Sequence, residues 1–153
     1  MSGLFTLLPE AVRTLAADSK PAILGKLADC FAQVYGLDRA VVRERLEERE
    51  SLGSTGFGRG VAIPHARVEG VTRPIAAFFR LDAPVMFDAA DGMPVDLVFG
   101  LLSPEHAGAA HLHALAAVSR MMRDDRMHAS LLQAPGPEAL YGLLCNVIDR
   151  DAA

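Results

Sequence analysis

The sequence is short of lysine, cysteine and long apolar runs, and each shortage excludes something. Of its 15 basic residues only Lys20 and Lys26 are lysine. The remaining arginines reflect a coding bias as readily as phosphate binding. Against 19 acidic residues they leave a formal net charge of −4, the wrong balance for a protein that grips a nucleic-acid duplex. Cys30 and Cys145 lie far apart in apolar, helical-looking stretches and write no disulfide framework, so free thiols in a reducing compartment are expected. No apolar run approaches the roughly 20 residues that span a bilayer. The N-terminal MSGLFTLLPEAV has no basic n-region, no long apolar core and no small-residue cleavage site, so it does not read as a signal peptide. These absences predict a cytoplasmic location, no membrane insertion and no nucleic-acid partner.

What is present suits one compact domain. The 153 residues are 51% hydrophobic, enough for a core and incompatible with global disorder. Ser19 is a good N-cap with Pro21 in the first turn behind it. Ile23, Leu24, Leu27, Phe31 and Val34 then recur at helical spacing until Gly36 stops the run. Asp38 caps a second helix to about Glu50, with Leu37 placed to staple onto Val42. Val42, Leu46 and Arg49 share a face of that helix, which puts an arginine at the end of an inward stripe.

From Ser51 the texture changes. SLGSTGFGRG packs four glycines into the eight residues from Gly53 to Gly60, a loop or irregular strand. Val61–His65 reads as a short strand ended by Pro64. Ile75–Leu81 and Val95–Leu102 read as strands, the second so continuously apolar that it belongs in the middle of a sheet. Residues 82–94 between them suggest a short edge hairpin turning at Asp91-Gly92. Three helical segments follow, over 108–124, 126–133 and 137–149. The first carries an expected inner stripe of Leu112, Leu115, Ser119 and Met122; the last buries Leu140, Leu144, Val147 and Ile148. Helices, then strands, then helices predict an α/β fold: a three-layer α/β/α sandwich with a central mixed β-sheet flanked by helices.

Several chemistries fail on spacing. A Walker A loop needs Gly-Lys-Ser/Thr where this chain has Arg59-Gly60, and Gly56, Gly58 and Gly60 lead into a strand instead of opening a helix as a dinucleotide fingerprint does. No G-x-S-x-G nucleophile elbow exists. His111 and His113 lie about 200° apart on their helix and cannot chelate one ion. No cofactor or metal is therefore expected. The glycine-rich stretch taken alone is equally a flexible turn or an anion-binding nest of backbone amides, and a lone histidine is most often a satisfied structural side chain. The rigid Ile63-Pro64-His65 that follows the glycines raises the functional reading.

The order of residues decides for function. RLEERESLGSTGFGRGVAIPHAR (45–67) resembles the phosphorylation segment of enzyme IIA of the fructose/mannitol class, the type-2 IIA domain, of the phosphoenolpyruvate-dependent phosphotransferase system. Arg49, Glu50, Gly53, Ser54, Thr55, Gly56, Gly58, Gly60, Ala62, Ile63, Pro64 and His65 match that family's pattern position by position. FDAADGMPVDLVFGLLSP (87–104) and HLHALAAVSR (111–120) are similar to its later segments, so the resemblance spans about 5–148 in one order. It implies one IIA domain over residues 1–153 and a phosphotransferase component with a phosphohistidine intermediate. His65 would accept a phosphoryl group from a histidine-containing phosphocarrier protein, Arg49 would clamp it, and His111 would donate a hydrogen bond to the same oxygens. The loop amides around Gly53, Ser54 and Thr55 would supply further phosphate-binding donors. Ala66 and Arg67 depart from the Gly-Lys common in the regulatory branch.

Within the family the chain is most similar to the nitrogen-regulatory IIA, whose phosphorylation state signals to regulated target proteins. A sugar-transport IIA subunit passing phosphate to a IIB domain, or a purely regulatory protein-binding module, are the alternatives. Neither a IIB domain nor a membrane IIC lies within these 153 residues.

Overall fold

The computed structural model describes residues 3–152, with side chains through Val147. It is an α/β sandwich built on an open, mixed six-stranded sheet. The elements run β1 (Thr6–Leu15), α1 (Lys20–Tyr35), α2 (Arg39–Ser51), β2 (Gly56–Gly58), β3 (Val61–Ala62), β4 (His65–Arg67), β5 (Ile75–Val85), β6 (Val95–Ser103), α3 (Ala109–Arg123), α4 (Asp125–Gln133) and α5 (Pro137–Ala152). The strand order is β1-β5-β6-β3-β2, and β4 continues the line of β3 along β6. β1 lies parallel to β5, β5 antiparallel to β6, and β3 and β4 parallel to β6.

Helices α1 and α2 begin and end as their sequences dictate. The Ser19 hydroxyl accepts from the amide of Ala22, Gly36 closes α1 in the left-handed conformation, and the Asp38 carboxylate accepts from Val41. Ile23, Leu24, Leu27 and Phe31 are all buried. β6 is central, paired on both edges, and buried along almost its whole length. Alternation along β6 assigns the faces. Gly100 turns toward Leu27 and Phe31 of α1, whereas Ser103 reaches α3 through His111. The even and odd positions of one strand thus face different helical layers. Arg80, opposite Leu97 in the β5–β6 register, donates to the carbonyls of Leu131 and Ala134 and so holds the C-terminal end of α4 on the α3 side.

The structure differs from the sequence expectations in several places. β1 was not expected: TLLPEAVRTL contains Pro9, and its pairing with β5 slips between Leu7 and Val12, so no clean alternation marks it. The Val61–His65 strand is broken at Ile63-Pro64 and resumes as β4, because Pro64 has no N–H to donate and instead accepts from Leu101 through its carbonyl at 3.0 Å. The expected edge hairpin over 82–94 is absent. β5 runs on to Val85, which pairs with Val95, and the remainder is a loop turning at Ala89–Gly92. The stripe assigned to α3 is rotated by one position: His111, Ala114, Val118, Met121 and Met122 face inward, while Leu112 is 61% exposed and Leu115 and Ser119 are half-buried. In α5 Leu140 and Leu144 are buried and Val147 is half-buried; the Ile148 side chain lies outside the described residues.

Candidate active site

The site assembles where β4, the end of α2 and the start of α3 meet. His65 opens β4 and pairs with Leu101 of β6, while Arg67 pairs with Ser103. Since residues two apart on a strand share a face, His65 and Arg67 point to the α3 side, where His111 waits. The rings of His65 and His111 are 5.6 Å apart at their centres and inclined at 41°. With Arg45, Glu48, Arg49, Leu52, Ala66 and Arg67 they line an open cleft of about 370 Å³. Arg49 and Arg67 bring positive charge to the two imidazoles, while Arg45 in the same lining is paired with Glu48.

His65 is oriented by its own backbone. Its Nδ1 lies 2.8 Å from the carbonyl oxygen of Ile63. A carbonyl can only accept, so Nδ1 carries the proton and Nε2 keeps a free lone pair. Burial pushes the imidazole below its ordinary value of 6.5; the Arg49 charge adds to this, while the Ile63 hydrogen bond and Glu50 act in the opposite sense. The ring is therefore neutral at pH 7. His111 is more deeply buried, only 6% exposed. Burial, then the nearby His65 and Arg67, bring its value down to about 4. Its Nδ1 is 2.7 Å from the hydroxyl of Ser103.

Arg49 sits in the last turn of α2, and its Nη1 donates to the carbonyl of Gly53 at 2.9 Å. Among the described residues no bond ties it to a neighbouring glutamate; the exposed pairs on that helix are Arg43 with Glu47 and Arg45 with Glu48. The inward residue of that turn is Glu50, four positions beyond Leu46 and 8% exposed. Its carboxylate takes the amide of Thr55 at 3.0 Å, the Thr55 hydroxyl, and the Lys20 ammonium at 2.9 Å.

The loop residues are engaged with one another. Gly53 donates its amide to the Glu50 carbonyl. The Ser54 hydroxyl donates to Phe87 and accepts from Gly56, and both donors of Thr55 go to Glu50. None of Gly53, Ser54 and Thr55 lines the cleft. They shape the approach to His65: the Thr55 carbonyl accepts from Ile63 at 3.0 Å. At Gly56 a Cβ would stand 3.0 Å from Ala89, so a side chain there would press the two loops apart.

His106 and His113 are exposed, and His128 lies at the other end of β6, its Nε2 3.7 Å from Asp96. Among the described residues no group of three or more His, Cys, Asp or Glu side chains is placed to hold a metal ion. No helix there is long and apolar enough to cross a membrane.

Residues 7–147 match the family described as phosphoenolpyruvate-dependent sugar phosphotransferase system, EIIA 2. The chain belongs to this family. As a IIA protein it is 45% identical over 130 residues to a nitrogen regulatory protein of Pseudomonas aeruginosa, covering 84% of each chain. It is 43% identical over 137 residues to a nitrogen regulatory protein of Bradyrhizobium diazoefficiens, covering 89% of this chain and 90% of the other. The crystal structure of nitrogen regulatory protein IIA-Ntr from Neisseria meningitidis superimposes with a TM-score of 0.82 at 36% identity, covering 90% of this chain and 95% of that one. IIA domains are phosphotransferase components.

The sequence had singled out His65, Arg49 and His111, and the structure brings these three to one cleft. Glu50 and Ser103 were missed as supports. Their signals were present: a glutamate at core spacing after Val42 and Leu46, and a lone serine ending the apolar run of β6.

Proposed function

We propose that this chain is one regulatory IIA domain that accepts a phosphoryl group on Nε2 of His65 from a histidine-containing phosphocarrier and signals to target proteins through its phosphorylation state. The observation that carries this reading is the Ile63–His65 hydrogen bond, which commits Nδ1 and leaves Nε2 as the nucleophile in a cleft that Arg49 also lines. In the transfer, the Nε2 lone pair attacks the donor's phosphorus. A new N–P bond forms as the donor's N–P bond breaks and its electron pair returns to the donor imidazole. His65 keeps its Nδ1 proton throughout, against the Ile63 carbonyl.

Phosphoryl transfer needs little covalent help from the protein; positioning and charge stabilisation supply most of the catalysis. Arg49, always charged, turns its fork from the Gly53 carbonyl toward the oxygens, and His111 adds one neutral donor. Thr55 supports this step through its carbonyl, which accepts from the Ile63 amide, while Gly53 and Ser54 hold the loop that carries it. The regulatory role is supported by relatives named as nitrogen regulatory proteins. Incubation with phosphoenolpyruvate, enzyme I and a phosphocarrier, followed by intact-mass measurement, tests the reading. One acid-labile, alkali-stable phosphoryl group is expected, and none on His65→Ala.

A further inference from the structure

Ser103 ends β6 with no exposed surface, a polar side chain closing an otherwise apolar stretch. Its backbone is committed to the ladder and to the amide of Val68, which donates to the Ser103 carbonyl at 2.8 Å. Its hydroxyl meets one polar atom among the described residues, His111 Nδ1 at 2.7 Å. The direction of that bond follows from what each group can do. Were Nδ1 protonated, the hydroxyl would accept and its own proton would be orphaned inside the protein, at the full cost of desolvating a donor. With Nδ1 bare, one bond satisfies both atoms. Ser103 therefore donates, and a neutral His111 carries its proton on Nε2.

We propose that Ser103 is a positioning residue for phosphoryl transfer, its hydroxyl fixing His111 as the Nε2–H tautomer so that His111 serves as a hydrogen-bond donor to the phosphoryl group on His65. The inference rests on His65 being the acceptor. It explains how two imidazoles 5.6 Å apart take opposite parts. Each ring is set by what its Nδ1 meets: a carbonyl, which only accepts, makes His65 Nε2 a nucleophile. A hydroxyl whose sole outlet is donation makes His111 Nε2 a donor. The downward shift of His111 to about 4 keeps it neutral, with a single proton, at working pH. Its orientation is then held by the Ser103 hydroxyl, the polar partner of its Nδ1.

The decisive comparison is Ser103→Thr against Ser103→Val, two side chains of one shape that differ by the hydroxyl. Ser103→Ala is the companion should the added bulk disturb the strand. Long-range 1H–15N spectra of the unphosphorylated protein report the His111 tautomer, and timed labelling by the phosphocarrier reports transfer to His65. The expected result is an Nε2–H tautomer in wild type and Ser103→Thr, mixed tautomers in Ser103→Val and Ser103→Ala, and labelling slowed about three- to tenfold only in the latter pair. An Nδ1–H tautomer in wild type overturns the proposal, and so does wild-type transfer by the hydroxyl-free variants. A wild type with the stated tautomer that takes no label on His65 overturns the acceptor reading, and with it the role, while the tautomer assignment stands.

Discussion

Arg49 donates from Nη1 to the carbonyl of Gly53, 2.9 Å away, so the cation at the mouth of the His65 cleft also closes the loop that follows its own helix. A phosphoryl group on His65 competes with that carbonyl for the guanidinium. Arg49→Lys keeps the charge and loses the planar fork that can meet two phosphoryl oxygens at once. Labelling of His65 should slow by about ten- to a hundredfold. Unchanged labelling kinetics in Arg49→Lys would show that the residue only ties down the loop.

His111 and His113 differ in burial. His111 is buried against Ser103, while His113 is exposed. His111→Ala removes one donor and no acceptor, so labelling should fall without vanishing and the lifetime of phospho-His65 should shorten. His113→Ala should be near neutral. Timed labelling of both variants checks the ranking, and the reverse order would place the wrong side of α3 over the site.

The cleft was more legible in the sequence than the packing around it. Ser19, Gly36 and Asp38 announce the ends of α1 and α2 through backbone groups that need partners, which is local chemistry. β1 was invisible because Pro9 and the slip after Leu7 erase its alternation, and only the neighbouring β5 gives it a register. On α3, hydrophobicity favoured a stripe through Leu112. The close approach of the helix instead uses Ala114, Ala117 and Val118 and buries His111, leaving Leu112 outside. The first turns of that stripe are a histidine and small residues, little apolar content that nevertheless packs closely, before Met121 and Met122 take over. Arg49 was read as the end of the inward stripe of α2; the buried residue there is Glu50, and Arg49 flanks it half-buried.

Glu50 should be the costliest of these supports to remove. Its carboxylate holds the Lys20 ammonium and both donors of Thr55. Glu50→Ala leaves a mostly buried cation and two donors without that partner, an expected loss of roughly 2–4 kcal/mol. Glu50→Gln keeps an acceptor for Thr55 and should lose about half as much. Urea unfolding of the two variants gives the comparison; equal midpoints for Glu50→Ala and wild type would contradict the network.

The two suppressed imidazoles predict acid sensitivity. Unfolded, His111 takes a proton near pH 6.5; folded, it stays neutral down to about pH 4. Its contribution is whole above about pH 6.5 and is lost as pH falls toward 4, because the unfolded chain binds the proton first. Between pH 7 and pH 5 the loss from His111 is roughly 1–2 kcal/mol, and His65, shifted in the same direction, adds to it. His111→Gln keeps an acceptor for Ser103 and should flatten the dependence. Urea midpoints at the two pH values, falling in parallel for variant and wild type, would assign the sensitivity elsewhere.

The most direct measurement is the position of the phosphorus on the ring. Nδ1 of His65 is committed to the Ile63 carbonyl, so a protein labelled through the phosphocarrier relay should show 1H–15N and 31P couplings that place the phosphoryl group on Nε2 of His65. Phosphorus on Nδ1, or on any other histidine, would contradict the assignment of His65 Nε2 as the acceptor.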